Sequence, residues 1–365
     1  MEELRFIRTS HTYADFSTSV SPAVELAMEQ RQSAGAVVLN RFSGGSITVG
    51  ILEDPEKCLD LDFCKREGIV VRRRQNPGGA IWGPGGSAII GIYMDTDLPW
   101  VPLKRVDDAF RITLTRLAEV MGRLFGIDAV YRPLNDVEVE GRKLVPTSAR
   151  LEKGILTMRL LVNVVPTNPE ILKLAMRTPP EKVQDKRIKD VGARFTCLQN
   201  EVGREIRAPE LESVATETVK GVLGKDVALV PGELTELERR YGEEYQEKYA
   251  SDAWLFANSE RMRFRTIPPG ALKREGRHKA PAGLIRVTLL ILNHLMKDLI
   301  ITGDFHPSPN DVLQDMEASL RGKPCDPAVV EEQIRKIFER PDVEIAGTRV
   351  EDFVAAFERA FDQGL

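Results

Sequence analysis

Cysteine and histidine are both scarce in this chain, with four of each. Cys58, Cys64, Cys197 and Cys325 lack the paired spacing of a metal site, and so few thiols over this length argue against a disulfide framework. A dominant sign of charge is missing too: 51 basic against 55 acidic side chains leave a net charge of −4. That balance gives no broad basic field to hold nucleic acid or an anionic membrane. No apolar run nears the roughly eighteen residues of a membrane span. The opening Met1-Glu2-Glu3-Leu4-Arg5 has no apolar core of signal-peptide length. The expected compartment is a reducing cytoplasm with free thiols.

What is present is ordinary for a globular protein, 42% hydrophobic and 29% charged residues. A length of 365 residues predicts two domains. Residues 21–34 read as a helix. Val106, Ala109, Phe110, Leu114, Leu117, Met121 and Leu124 recur at three and four, which predicts an amphipathic helix over Lys104–Phe125, stopped by Gly126. Strand-like runs stand at 36–39, 46–52, 69–73, 87–94, 129–132, 136–140 and 155–164. Helices are expected at 208–223 and 233–249, with a charged surface loop over 176–195. Pro268-Pro269-Gly270 and the basic stretch after it place a boundary between 258 and 280. Beyond it come strands at 284–292 and 298–305, then three helices, two of them opened by Ser308-Pro309 and Asp326-Pro327. Strands and helices do not alternate as strict βαβ units, so the expected class is α+β.

Two segments carry chemistry. Arg72-Arg73-Arg74 ends an apolar strand and runs into Gln75-Asn76-Pro77-Gly78-Gly79-Ala80-Ile81-Trp82. Glycines let a backbone approach an anion closely, and guanidiniums can neutralise its oxygens. The spacing matches neither the nucleotide loop ending in Lys-Ser/Thr nor the dinucleotide fingerprint. The residues alone leave a phosphate or carboxylate site and a solvated Gly/Pro connection equally open. The second segment, Asn135-Asp136-Val137-Glu138-Val139-Glu140-Gly141-Arg142-Lys143, is an alternating strand, a tight turn and a lysine on the return strand. Alternation puts Asp136, Glu138 and Glu140 on one face. A lysine there can reach a cleft between strands or stand in solvent on a surface hairpin.

The order of these segments resembles the lipoate–protein ligase family, within the biotin and lipoate ligase fold. Its Arg-Arg-x-Ser-Gly-Gly-Gly-Ala-Val-Tyr is similar to Arg73 through Trp82, and its Asn-Asp…Gly-Arg-Lys to Asn135-Asp136 through Gly141-Arg142-Lys143. Gly154 through Leu160-Leu161-Val162-Asn163, Lys248-Tyr249-Ala250-Ser251-Asp252-Ala253-Trp254-Leu255-Phe256 and Gly303-Asp304-Phe305 resemble later family segments. Departures are Pro77 for the first glycine, Gly83-Pro84-Gly85-Gly86-Ser87 after the aromatic, and Gly50-Ile51-Leu52-Glu53 after the early strand.

The resemblance implies a mixed-sheet catalytic domain over 1–262 and a small α+β accessory domain over 275–365. It implies an ATP-dependent ligase: lipoate or octanoate attacks ATP to give acyl-AMP, and a lysine of a lipoyl carrier protein takes the acyl group. Lys143 is then the expected catalytic residue. Arg73 and Arg74 would contact phosphate and pyrophosphate, while Gly78, Gly79 and Ala80 would approach the acyl-adenylate. Trp82 would line the acyl slot, Asn135 would recognise adenine, and Asp136 would hold Mg²⁺ or orient the nucleotide. Trp254 and Phe256 read as packing, Cys197 as a structural thiol, and His306 as surface. Rival readings are a cysteine-dependent octanoyl or lipoyl transferase, a biotin–protein ligase, and a noncatalytic acyl-carrier-binding protein.

Overall fold

The computed structural model describes residues 2–33, 35–177, 194–224 and 227–362. Strands of the first part are β1 (Glu2–Thr9), β2 (Ala36–Arg41), β3 (Ser46–Val49), β4 (Val70–Arg73), β5 (Ile81–Gly83), β6 (Ala88–Asp95), β7 (Ala129–Arg132), β8 (Asp136–Val139), β9 (Arg142–Glu152), β10 (Ile155–Val162) and β11 (Val227–Gly232). Eight of them form one mixed sheet in the order β11-β1-β2-β6-β10-β9-β8-β7, while β4-β3-β5 form a small second sheet. In the large sheet β1 runs parallel to β11 and β2, and the remaining pairs are antiparallel. The class is therefore mixed, as the irregular helix placement predicts.

The helix Val106–Phe125 covers one face of the large sheet beside Ala208–Leu223. Val106, Ala109, Phe110, Leu114, Leu117 and Met121 are all buried, each large apolar side chain contributing about 1.5–3 kcal/mol. Gly126 ends the helix at φ 69°, a conformation glycine adopts without a Cβ penalty. On the other face the expected helix over 21–34 is shorter. It continues a wide turn at Phe16–Val20 and runs from Ser21 to Glu29. Asn168 caps the helix Pro169–Ala175 by accepting from the Glu170 N–H. The loop expected over 176–195 falls outside the described residues, except for 176–177 and 194–195.

The C-terminal unit holds β12 (Leu272–Ala280), β13 (Gly283–Leu292), β14 (Leu295–Gly303), β15 (His306–Ser308) and β16 (Glu344–Ala346). Strands β12-β13-β14 form an antiparallel sheet backed by the helices Val312–Leu320, Pro327–Phe338 and Val350–Phe361. The basic stretch at the expected boundary is strand β12, in which Lys273, Glu275, Arg277 and Lys279 alternate along a ladder with β13. Ser308-Pro309 does not open a helix; it ends β15, and the next helix starts at Val312 after Asp311. Asp326 does cap its helix. Leu52, from the loop after β3, lies within the apolar core of the C-terminal unit, and its carbonyl accepts from the Gly303 N–H at 3.0 Å.

Candidate active site

The glycine loop closes within the small sheet. β4 ends at Arg73, the loop runs from Arg74 to Ala80, and the chain returns along β5, so the strand beginning near Ala88 is one element further on. Gly78 sits at φ +96°, and a Cβ on Gly50 would fall 1.8 Å from the Gly78 carbonyl, so two glycines are required where the loop crosses the β3 end. The N–H groups of Gly78 and Gly79 find no acceptor among the described residues. Adjacent amides without an internal partner can cradle anionic oxygens, and both glycines border the cavity described below. Pro77 removes one further donor.

The two arginines hold this loop up. Arg74 is fully buried; its Nη2 donates to the carbonyls of Pro77 and Gly79 at 2.9 Å each, and its Nη1 to Thr48. Burial lowers its pKa, yet it remains a guanidinium whose charge lies directly beneath the loop. Arg73 departs from the expected phosphate contact. It is 1% exposed, and Nε, Nη1 and Nη2 donate to the carbonyls of Trp254, Leu255, Gly50, Ile51 and Asn258 at 2.7–3.4 Å. Burial pushes it down to about 10, and it does not border the cavity. Trp254 returns a bond to the Arg73 carbonyl and packs against Tyr249 with the rings tilted by 39°, a packing role.

The second segment folds as a hairpin. Glu140 at φ 51° and Gly141 at φ 78° make a two-residue left-handed turn between β8 and β9, matched to the twist of the strands. Asp136, Glu138 and Glu140 all face the cavity, as alternation predicts. Lys143 Nζ lies 2.7 Å from Asp136 Oδ2. Asp136 Oδ1 is buried with no hydrogen-bond partner among the described residues, and Glu138 pairs with Arg132 at 3.6 Å.

Arg74, Gly78, Gly79, Ala80, Trp82, Asn135, Asp136 and Lys143 thus border one cavity of about 1100 Å³. Its apolar end is walled by Cys58, Ile81, Trp82, Leu172 and Met176; its polar end holds Lys143, Asp136, Asn135 and Arg132. The C-terminal unit supplies Lys279, Pro281, Ala282, Gly283 and Asp304 to the same wall. Sequence reasoning missed these, although Gly303-Asp304-Phe305 marks the place. It also misplaced His306, which is 1% exposed rather than on the surface. Burial first, then the Arg74 charge, pushes this imidazole down to about 4. Cys197 is 2% exposed, its thiol is raised by burial, and it does not border the cavity.

No group of three or more His, Cys, Asp or Glu side chains stands ready for a metal among the described residues. The orphaned Asp136 oxygen nonetheless fits Mg²⁺, which takes one or two carboxylates and fills its shell with phosphate oxygens and water. No helix is long and apolar enough to cross a membrane among the described residues.

Residues 45–220 match the model of the lipoyl protein ligase A/B catalytic domain. Octanoyltransferase LipM of Kyrpidia tusciae is 23% identical over 278 residues, 70% of this chain and 99% of that protein. Lipoate-protein ligase A subunit 2 of Thermoplasma acidophilum is 37% identical over 78 residues, 21% of this chain and 80% of that subunit. A crystal structure of lipoate-protein ligase A bound with ATP superposes with a TM-score of 0.58 at 18% identity, covering 70% of this chain and 99% of the other. The crystal structure of P. falciparum LipL1 in complex with lipoate reaches 0.66 at 12% identity over 96% of this chain and 97% of the other.

Proposed function

Because this chain belongs to the lipoate–protein ligase family, we propose that it activates lipoate or octanoate with ATP and passes the acyl group to a lysine of a lipoyl carrier protein. The observation that carries the reading is the meeting of Lys143, Asp136 and the amide cradle of Gly78–Gly79 in one cavity that the C-terminal unit walls.

A carboxylic acid does not acylate an amine at neutral pH, since hydroxide is a poor leaving group. Activation forms a bond from a carboxylate oxygen to the α-phosphorus of ATP and breaks the α–β anhydride, releasing pyrophosphate. Two anions must approach each other, so the site has to supply positive charge. Lys143 is a compact, mobile point charge at the polar end, suited to bridging the acyl oxygen and the α-phosphate. The Gly78 and Gly79 amides meet the phosphoryl oxygens, with Arg74 adding its field from beneath. One preorganised donor of this kind is worth about 3–4 kcal/mol. Mg²⁺, when bound at Asp136, would neutralise the phosphates of the nucleotide. The carrier amine then attacks the acyl carbonyl, the C–O bond to AMP breaks, and the amine proton is lost to solvent.

One feature favours ligation over carrier-to-carrier transfer: the 37%-identical relative is a ligase subunit. The second reading keeps one supporting observation: Cys58 borders the apolar end of the cavity, where a transferase would need a thiol. One experiment separates them. The full chain is mixed with ATP, Mg²⁺ and lipoate or octanoate, and pyrophosphate is measured, followed by the mass of an added lipoyl domain. Acid-dependent pyrophosphate release and a modified lysine are expected. Acyl transfer from an octanoylated carrier without ATP, abolished by Cys58→Ala, would establish the transferase instead.

A further inference from the structure

His306 is the buried titratable group that the chemistry above leaves unused. It opens β15 in the C-terminal unit, two residues after Asp304, yet its surroundings belong to the active site. Nε2 lies 3.4 Å from Asn135 Nδ2, and the ring meets Phe110 edge-on with centroids 5.2 Å apart. A Cβ placed on Gly78 would stand 3.4 Å from His306 Cε1 and 3.0 Å from Arg74 Nη2; one on Gly79 would stand 3.4 Å from Asp304 Oδ2. The segment Asp304–His306 therefore lies directly against the amide cradle on one side and Asn135 on the other.

The hydrogen-bond inventory of Asn135 gives this contact its meaning. Its Nδ2 carries two protons. One goes to the Thr147 carbonyl at 2.7 Å; the other can be given to His306 Nε2, 3.4 Å away, when that nitrogen is unprotonated. Accepting that proton requires a neutral imidazole, which burial beside Arg74 favours, in the tautomer that carries its own proton on Nδ1. With both N–H directions taken, the amide oxygen is the end of Asn135 left for the cavity. An outward-facing acceptor suits a ligand N–H, such as the exocyclic amine of an adenine ring.

We propose that His306 is a positioning residue for nucleotide binding: from the C-terminal unit it fixes the Asn135 amide and backs the Gly78–Gly79 cradle. The inference rests on the ATP-dependent reading above. It makes the C-terminal unit a working wall of the activation site through one named side chain, which stands behind the cavity lining and not in it.

The test uses the full chain and two variants. His306→Phe keeps a ring against Phe110 and loses the acceptor, while His306→Gln restores an acceptor. Pyrophosphate release is measured against ATP concentration, with thermal melting as the folding control. His306→Phe should raise KM for ATP roughly tenfold or more, since small misplacements at a site cost up to about a hundredfold. Its kcat and melting should change far less, and His306→Gln should recover much of the KM. In an Asn135→Ala background the same Phe substitution should add little, because the two side chains act as one unit. Parental KM in His306→Phe, or a deficit that tracks only the folded fraction, overturns the proposal while leaving the ligase reading intact. Absence of acid-dependent pyrophosphate release by the parental chain overturns both.

Discussion

Lys143 Nζ and Asp136 Oδ2 lie 2.7 Å apart across the β8–β9 hairpin, at the polar end of the cavity. The pair is partly exposed, so its contribution to stability is about 0–1 kcal/mol. Its chemical contribution is far larger if the lysine leaves the carboxylate to meet an incoming acyl phosphate. Lys143→Ala should keep the parental urea midpoint and lose about a hundredfold or more in pyrophosphate release. Lys143→Arg should not recover it, because a planar fork does not reproduce a point charge. Near-parental adenylate formation in either variant would remove this lysine from the chemistry.

Arg73 presents the opposite case. Five carbonyls, from Gly50 and Ile51 just after β3 and from the Trp254–Asn258 segment, converge on one buried guanidinium. Arg73→Ala should cost several kcal/mol, because each buried carbonyl left without a donor costs about 1–3 kcal/mol. Arg73→Lys should fall short as well, with three donors for five acceptors. Urea unfolding should register the loss in full, and KM for ATP measured on the folded fraction should stay near parental. A large KM effect in a stable variant would return Arg73 to the phosphate site.

This contrast marks the limit of what the sequence discloses. The helix Val106–Phe125, its Gly126 stop and the alternating face of Asp136, Glu138 and Glu140 follow from local periodicity and turn chemistry, which a single segment carries in full. The inward turn of Arg73 does not, because its acceptors lie up to 185 residues away. β12 reads as part of a boundary because a basic strand shows its place only once its partner β13 is known. His306 looks like a surface residue for the same reason: its neighbours Asn135, Arg74 and Phe110 all come from the other unit.

Glu53 and Arg286 join the two units through a contact at 3.5 Å, both side chains at most 2% exposed. Here a buried charge meets its partner far from water, next to Leu52 inserted in the C-terminal core. Glu53→Ala leaves Arg286 with Glu275, 4.0 Å away, as its remaining paired carboxylate and should cost up to about 3 kcal/mol, the low end for a broken buried pair. Because the pair spans the units, the expected signature is a C-terminal unit that melts separately, ahead of the large sheet. Calorimetry showing a single unshifted transition would mean that the pair does not couple them.

Two buried groups give stability opposing pH dependences. His306 has a folded-state pKa of about 4 against its ordinary 6.5, so the unfolded chain takes up the proton first. Its contribution is whole above pH 6.5 and is lost as pH falls toward 4, about 3 kcal/mol in total. Glu317 accepts from the Ile301 N–H, and burial raises it to about 6 from 4.5 despite the nearby Arg263. Here the folded chain holds the proton more tightly, so stability is whole below pH 4.5 and falls by about 2 kcal/mol as pH rises through 6. The parental urea midpoint should therefore change little between pH 5 and 6, where the two slopes cancel. His306→Gln should uncover the Glu317 slope, with stability declining as pH rises. Glu317→Gln, which keeps an acceptor for Ile301, should uncover the reverse. Identical pH profiles for the two variants would show that neither group titrates as its surroundings require.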